Sequence, residues 1–460
     1  METSARNSLK ERIGRIFYVA FPLIVQGLVF QLQSLTDKAF LGNLDTKYVS
    51  AVGAAQMPFY TVVDSMGAIS IGLVIIISTL YGAGQKDKIN AYVKSTALYH
   101  MLIGIAFFLL WELFAEPILV FFKTDALIID YSVTYIRICA IYLLVFGIDS
   151  AFQSMLQGIG DTKPIMYSGI LKVGLNMLIS WVLVFGKLGF PALNIAGAAI
   201  GTVVADIIAF LYIAFYCLIV KKKQFHIKIK DRMWFHIKPY GQVIKLGIMS
   251  GLEYLLWNAS NLLLIRFING FSYMAMGIYT LTFGFQCIVF IVCERVSKSA
   301  LTLMGHNIGA KQFKRADQLF YNCIVINLII VLVSFIGIAS FPGALLDIFS
   351  NDPELIKDGI PYMIFMGFIL FPQSINVICG NGIKAHGNTK WMFVSQAIGS
   401  TLIVVISCFL VLVLHMNMIA IYATIFIDET VRGAINYLYY RRKYGYRVQQ
   451  RKNVDISEIA

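Results

Sequence analysis

The chain has 460 residues, of which 58% are hydrophobic and only 14% are charged, and its formal net charge is +13. Soluble domains average about 45–50% apolar and about 25% charged residues. This composition excludes a water-soluble globular fold and indicates a protein embedded in a bilayer.

Apolar windows recur along the whole chain. A membrane-spanning helix needs roughly 20 mainly apolar residues, and examples of such windows contain LIGIAFFLLW (102–111), AFLYIAFYCLIV (209–220) and INLIIVLVSFIGIASF (326–341). About twelve windows of this kind are present, with loops mostly too short to fold alone. The sequence therefore predicts an all-α polytopic membrane protein.

Basic residues are unevenly distributed among the loops. One set of alternate loops, which includes both termini and the segment 221–238, carries most of the Lys and Arg residues. By the positive-inside rule, both termini face the cytoplasm, and the protein crosses the cytoplasmic membrane many times. Anionic membrane lipids account for the positive charge, so no nucleic-acid partner is expected.

The seven cysteines lie inside or at the ends of apolar stretches and form no CxxC pair. This pattern predicts neither a disulfide nor a structural metal site. The charged N-terminus runs directly into the first span, so insertion without cleavage is expected. Neither a nucleotide-binding loop nor a catalytic Ser/His/Asp arrangement is apparent, so the chain is expected to have no enzymatic activity and no organic cofactor.

Two nearly identical turns indicate an internal repeat. QGIGDTK (157–163) resembles KAHGNTK (384–390), so Gly160 aligns with Gly387. YGAGQKDK (81–88) aligns with HNIGAKQFKR (306–315), with Gly84 on Gly309. AAIGTVVAD (198–206) aligns with AIYATIFID (420–428), with Asp206 on Asp428.

These matches predict two parallel repeats of about six spans each, an architecture common among transporters. The expected domains are an N-terminal bundle (1–220), a basic cytoplasmic linker (221–245), a C-terminal bundle (246–442) and a basic cytoplasmic tail (443–460).

Two stretches resemble the multidrug and toxic compound extrusion (MATE) transporters. They are FPLIVQGLVFQLQSLTDKAFLGNLDTKYVSAVG (21–53) and the region from QGIGDTK to GTVVAD (157–206). The resemblance implies two six-helix bundles around a V-shaped central cavity. It also implies export of small organic compounds, often cations, by alternating access in exchange for inward-moving protons or sodium ions. We expect the protein to be a monomer.

The first candidate site is Asp37. A charge near the bilayer centre costs at least roughly 2.5–3.5 kcal/mol, so such residues usually face a cavity or a partner. Asp37 shares a helical face with Gln26 and Gln33. The alternative is a surface carboxylate paired with the adjacent Lys38.

The resemblance assigns ion coupling to Asp37 and places Asn176 and Thr202 beside it. Some relatives have an aspartate one helical turn after that asparagine, where this chain has Ser180. That difference leaves open whether protons or sodium ions drive transport.

The second candidate site is in the second half of the chain, where Glu253 is followed by Trp257 and Asn261 on one helical face. A carboxylate supplies charge and an indole supplies a cation–π surface, a combination that suits an organic cation. The alternative is a structural acid bonded to a neighbouring helix. Further candidates for substrate binding are Gln33 in the first span and Gln373 and Asn376 in the tenth span, where one branch of the family has an aspartate.

Pro22 is a candidate gating residue, because a proline inside a helix removes a backbone hydrogen bond and favours a kink. A static kink is the alternative.

A flippase for a lipid-linked saccharide is the alternative function. The intramembrane charges predicted from the sequence are mainly acidic, which favours cationic substrates over the pyrophosphate of such lipids.

Overall fold

A computed structural model of the chain describes residues 2–42, 44–221, 232–348 and 352–445. These residues form helices and short connections, and no strand occurs among them. The helices are α1 Glu2–Gly42, α2 Thr46–Gly82, α3 Lys86–Phe121, α4 Ile129–Ala140, α5 Leu143–Ile159, α6 Lys163–Phe185, α7 Asn194–Phe215, α8 Ile237–Phe271, α9 Tyr273–Gly309, α10 Phe313–Ser340, α11 Pro342–Asp347, α12 Pro353–Ala385, α13 Thr389–Cys408 and α14 Ile419–Lys443.

Two of the helices continue into short π-helical segments, and one short 3₁₀ segment precedes α8. The π-helical segments are Tyr216–Val220 after α7 and Phe409–Val413 after α13, and the 3₁₀ segment is Arg232–Phe235.

Nine helices in the described residues are long and apolar enough to cross a membrane. The helices α4 and α5 form a tenth such unit, bent by 49° at the break between them. The remaining long helices, α8 and α14, contain polar and charged residues in their interiors. With these two included, the described chain has twelve long helical segments, so the prediction of an all-α polytopic membrane protein is confirmed.

Side chains cap several helices where the chain leaves a loop. The Asp45 side chain accepts a hydrogen bond from the backbone N–H of Lys47 at the start of α2. Ser272 caps α9 and Asp352 caps α12 in the same manner. Such caps satisfy backbone donors that a helix leaves without an intrahelical partner.

The chain divides into two compact units. The first, here called the N-unit, is Val25–Gly251, and the second, the C-unit, combines the described parts of Met1–Ile24 and Leu252–Ala460. Helix α8 begins at Ile237, inside the segment expected to be a linker. Residues 222–231 of that segment and 446–460 of the expected tail lie outside the described residues, so the predicted domain boundaries stay a prediction.

The repeat is visible in the turns that end α2 and α9. Gly84 has φ +74° and Lys311 has φ +59°, and both follow a C-cap alanine. The separation is 311 − 84 = 227 residues, the same as between Gly160 and Gly387, which also have positive φ. The expected alignment of Gly84 with Gly309 is therefore wrong by two residues.

The reason for this difference is conformational. Glycine identity suggested the alignment, but the left-handed backbone conformation marks the equivalent position, and a lysine adopts it in the second copy. The turn hydrogen bonds agree with this register: Gln85 N–H donates to Leu80 O at 2.9 Å, and Gln312 N–H donates to Asn307 O at 2.7 Å.

Close backbone contact joins α2 and α8 within the N-unit. A Cβ atom placed on Gly247 would lie 2.0 Å from the carbonyl oxygen of Ile69, and one on Gly72 would lie 2.4 Å from that of Val243. Small residues at such crossings let helices in a membrane approach closely.

Replacement of Gly247 by alanine is expected to destabilise the protein by about 1–3 kcal/mol, because the backbone of one helix must move. The matched control is Gly241→Ala on the same helix, where a Cβ would meet nothing within 4 Å. This control is expected to be neutral or to stabilise by about 0.5–1 kcal/mol. Melting temperatures of the purified variants in detergent test the pair, and equal melting temperatures would contradict the prediction.

Candidate functional site

Helices α6 and α7 pack closely in the N-unit because glycines lie at their contact. A Cβ on Gly201 would lie 2.3 Å from the hydroxyl of Ser180, and one on Gly197 would lie 2.7 Å from the carbonyl carbon of Leu183. The crossing brings the polar side chains of the two helices within hydrogen-bonding distance.

A row of polar side chains follows this contact at intervals of one helical turn. Lys172 Nζ lies 2.5 Å from Asp206 Oδ1. One helical turn away from this pair, Asn176 on α6 donates from Nδ2 to Thr202 Oγ1 on α7 at 3.0 Å. It also donates to Ser180 Oγ on its own helix at 3.4 Å. Asn176 and Ser180 are fully buried. Among the described residues, Asn176 Oδ1 has no hydrogen-bond partner.

Asp37 lies on α1 in the same unit, with a side chain that is buried together with that of Gln33. Gln33 hydrogen-bonds to the Asp37 carboxylate, and the charges of Lys172 and Asp206 lie within electrostatic range of it. Asp37 Oδ1 is buried without a hydrogen-bond partner among the described residues. With respect to the described residues, this oxygen is therefore available to accept a proton, a water or a cation.

A second buried carboxylate, Asp149 on α5, lies in electrostatic range of the Lys172–Asp206 pair. Asp149 Oδ2 accepts hydrogen bonds from Tyr142 at 2.9 Å and from Gln153 at 2.8 Å. The ring of Tyr142 lies 5.9 Å from the Lys172 ammonium. These contacts extend the polar cluster from α6 and α7 to α5.

The structure thus brings together Asn176, Ser180 and Thr202, and it places Asp37 beside Gln33. The roles assigned to them stay predictions. Sequence reasoning did not single out Lys172, although it is a charged residue inside an apolar helix and the cost of such a charge applies to it as well. Its spacing of four residues from Asn176 was the available signal.

The C-unit contains a buried ionic network around Arg432 on α14. The Arg432 guanidinium donates to both oxygens of Asp428, at 2.9 and 2.6 Å, and to Glu429 Oε1 at 2.8 Å. It also donates to Gln396 Oε1 at 2.9 Å. All four hydrogen bonds are buried. A charge removed from water needs such paired and hydrogen-bonded partners.

Asn376, one of the candidates for substrate binding, belongs to this network. Its Nδ2 donates to Glu429 Oε2 at 2.8 Å, and its Oδ1 accepts from Asn436 at 2.9 Å. Gln373, one turn earlier, accepts from Gln286 at 2.9 Å. Both amides thus have partners within the C-unit.

Glu253 on α8 pairs with a lysine from a distant part of the chain. Lys384 Nζ at the end of α12 lies 2.9 Å from Glu253 Oε2. Sequence reasoning examined only the residues within a helical turn of Glu253 and so did not find this pair. Asn261 donates to the backbone carbonyl of Trp257 at 3.0 Å, on the same helix.

The helices contain cations as well as acids. Five poorly exposed cations in the described helices lie within 3.3 Å of a carboxylate, namely Lys172, Arg295, Lys298, Lys384 and Arg432. Asp37 and Asp149 are buried in addition to the carboxylates of these pairs, so the expectation of mainly acidic intramembrane charges stays a prediction. All seven cysteines are free thiols, and no cluster of three metal-ligating side chains occurs in the described residues.

An aromatic cluster surrounds His386 in the turn between α12 and α13. The His386 ring stacks on Tyr444 at 4.2 Å between centroids, and its Nδ1 lies 3.0 Å from Gly382 O. Burial lowers the pKa of His386 from 6.5 to about 4. The cluster ties the end of α14 to the repeated turn.

Taken together, the fold and the polar clusters define a multi-pass membrane protein of two helical repeats with buried ionic centres. The model of the MatE family matches residues 22–182 and 250–410, one copy in each half. The chain belongs to the MatE family of transporters, which confirms the resemblance to MATE proteins.

Two curated relatives cover most of the chain. The uncharacterized transporter YisQ of Bacillus subtilis is 25% identical over 451 residues, which cover 96% of this chain and 97% of YisQ. The probable multidrug resistance protein NorM of Thermotoga maritima is 23% identical, over 81% of this chain and 79% of NorM.

Among solved structures, a multidrug resistance MATE family transporter of the MOP superfamily in an outward-facing conformation is similar, with a TM-score of 0.86. The match covers 94% of this chain and 95% of that chain at 16% identity. The likeness concerns the fold.

Replacement of Arg432 by glutamine is expected to destabilise the protein by about 3–5 kcal/mol, because Asp428 and Glu429 would remain buried without a cation. The control Arg442→Gln, exposed near the end of the same helix, is expected to change stability by less than about 0.5 kcal/mol. Thermal melting in detergent measures both, and an Arg432→Gln variant as stable as its control would refute a structural role for the network.

Acidification is expected to weaken the His386 cluster. The folded-state pKa of His386 is lowered to about 4, so between that value and 6.5 the unfolded chain binds more protons than the folded one. The contribution of His386 is therefore greatest above pH 6.5 and is lost as the pH falls towards 4. A His386→Phe variant keeps an aromatic ring there, and its melting temperature should fall less than that of the wild type over this range. An equal or larger fall would contradict the prediction.

Proposed function

We propose that this protein is a secondary active antiporter that exports small organic cations in exchange for inward-moving protons or sodium ions. Membership of the MatE family and the name of the Thermotoga maritima relative, a probable multidrug resistance protein, support this proposal. The observation that carries it is the Asp37 carboxylate, which is buried in the N-unit with one oxygen unpartnered among the described residues.

Asp37 is suited to bind and release a coupling ion. Removal of a carboxylate from water disfavours its charged form, so a buried carboxylate readily takes up a proton or a metal cation. In this proposal Asp37 is loaded from the outside and unloaded to the cytoplasm. Each positive charge that moves inward releases about 2.3 kcal/mol per 100 mV of membrane potential.

Asn176 and Thr202 are proposed to support the ion site from α6 and α7. The amide nitrogen of Asn176 donates to Thr202 and Ser180 and so fixes the orientation of the side chain. The amide oxygen, which has no partner among the described residues, is then available as a ligand. Oxygen ligands of this kind serve either a protonated carboxyl group or a hard cation.

Glu253 is proposed to contribute to substrate binding in the C-unit. Because Lys384 is paired with the Glu253 carboxylate, an organic cation must displace that lysine to contact the carboxylate. Trp257 and Asn261 lie one and two turns further along α8, and the indole offers a cation–π surface. Gln373 and Asn376 act in this proposal by holding the neighbouring helices.

The transport cycle is proposed to follow alternating access in a monomer, with both termini in the cytoplasm and the chain in the cytoplasmic membrane. Pro22 lies inside α1, fifteen positions before Asp37 on the same helix. A change in helix bend at this proline is the proposed link between ion binding and gating.

The replacement Asp37→Asn is expected to abolish gradient-driven export, because an amide can neither bind nor release a proton at physiological pH and has no charge with which to hold a cation. The measurement is ethidium efflux from proteoliposomes under an imposed proton gradient and, separately, a sodium gradient. Asp347→Asn, an exposed carboxylate at the end of α11, is the control and should transport like the wild type.

Intact efflux by Asp37→Asn would exclude Asp37 as the coupling residue. Wild-type protein that produces no efflux under either gradient would contradict the export of organic cations. In that case the translocation of a fluorescent lipid-linked saccharide by the same proteoliposomes tests the flippase alternative.

A further inference from the structure

We propose that Lys172 is a tethered cation that takes the place of a metal ion in the N-unit, so that this site couples transport to protons and rejects sodium. The proposal rests on the proposed antiport function, since it names the coupling ion of that site. It assigns Lys172 as a positioning residue that acts through Asp206 and Asp37.

The Lys172 side chain is only 21% exposed, and that of its partner Asp206 is 7% exposed, with 2.5 Å between Nζ and Oδ1. The rings of Phe30 and Tyr142 lie 5.0 and 5.9 Å from the ammonium. A carboxylate and two aromatic faces are the surroundings that stabilise a cation away from water. The ammonium of the protein itself thus lies in a cation-binding environment.

The groups around Lys172 come from five further helices and are mainly acids. In the described part of the chain, the titratable groups that interact electrostatically with one another around Lys172 are Asp37 on α1, Tyr60 and Asp64 on α2, Cys139 on α4, Tyr142 and Asp149 on α5, and Asp206 on α7. Lys172 supplies the positive charge among the groups in this set. A sodium ion at Asp37 would therefore meet the ammonium of Lys172, which lies within electrostatic range of that carboxylate.

Two positive charges close together in a poorly hydrated site repel each other strongly, since water and salt do not screen them. A proton avoids this repulsion because it neutralises the Asp37 carboxylate and forms an uncharged carboxyl group. When Asp37 carries the proton, Lys172 remains paired with Asp206. When the O–H bond breaks and the proton leaves, the Asp37 carboxylate competes with Asp206 for the ammonium, and the balance of contacts among α1, α6 and α7 changes.

In the second repeat, an ion pair of a different kind, Arg432 with Asp428, lies beside the residue that corresponds to Lys172. Gly399 lies 399 − 172 = 227 residues after Lys172, the offset of the repeated turns. A Cβ on Gly399 would lie 2.4 Å from both Arg432 Cδ and Asp428 Oδ1, so the glycine leaves room for the guanidinium. There the cation is an arginine on α14 with four hydrogen bonds to three side chains.

Arginine remains charged at any accessible pH, and its planar group fixes several partners at once, whereas lysine is a single charge on a flexible stem. The C-unit centre therefore holds a permanent pair. The N-unit centre holds a pair whose cation can change partners, which is the property that coupling to a proton requires.

Sodium-dependent stabilisation tests the proposal without a transport assay. The melting temperature of the purified protein is measured in sodium chloride and in choline chloride at equal ionic strength. Wild-type protein is expected to show the same melting temperature in both salts. Lys172→Gln is expected to melt about 2 °C or more higher in sodium, because a vacated cation position stabilises the folded state when the ion binds. Lys172→Arg keeps the charge and should be as insensitive to sodium as the wild type.

Specific stabilisation of the wild type by sodium, or a Lys172→Gln variant that gains none, would overturn the proposal. Should Lys172→Gln fail to fold because Asp206 loses its partner, Lys172→Gln with Asp206→Asn removes the pair as a unit. The double variant is also expected to gain stabilisation by sodium at Asp37, and its absence would again overturn the proposal.

Transport then separates this inference from the proposed function. Ethidium efflux driven by a proton gradient and unaffected by a sodium gradient supports both. Efflux driven by sodium in the wild type supports antiport but overturns the role of Lys172. No efflux under either gradient contradicts the export of organic cations, while the melting comparison continues to decide whether Lys172 excludes sodium.

Discussion

A charged side chain inside a bilayer must find a partner or a cavity, because hydrocarbon solvates it poorly. The rest of this structure follows from that constraint. Arg432 meets two carboxylates, Lys384 meets Glu253, and Lys172 meets Asp206. The Lys384–Glu253 and Lys172–Asp206 pairs join different helices, whereas Arg432 and its two carboxylates lie on one helix.

Each half of the chain contains an ionic centre. Asp206 and Asp428, which the predicted repeat aligns, are each paired with a cation. In the N-unit the cation comes from α6 and has one carboxylate partner, whereas in the C-unit it comes from α14 and donates four hydrogen bonds. The N-unit thus combines a lysine that has one carboxylate partner with Asp37 and Asp149, each of which has one oxygen unpartnered among the described residues. This asymmetry explains why coupling is assigned to the N-unit and stability to the network of the C-unit.

Glycines make both centres possible by setting the distance between helices. Gly201 allows α7 to approach Ser180, and Gly399 leaves space for Arg432. At the turns the same residue type serves a different purpose, since Gly160 and Gly387 have a left-handed backbone conformation. Lys311 adopts that conformation without being a glycine, which shows that the turn geometry of the repeat tolerates a change of residue.

The sequence by itself determined the membrane class, the helical architecture, the twofold repeat and the family, because these depend on composition, on apolar period and on local turn chemistry. It also indicated Asp37, Asn176 and Thr202, of which the structure joins the last two directly. Arg432 pairs with Asp428 and Glu429 on its own helix, but the partners of charged residues far apart in the chain were decided only by the tertiary structure. Lys384 lies 131 residues from Glu253, and Lys172 lies 34 residues from Asp206. Helix packing brings such residues together, and no pattern within one helix records which lysine will face which carboxylate.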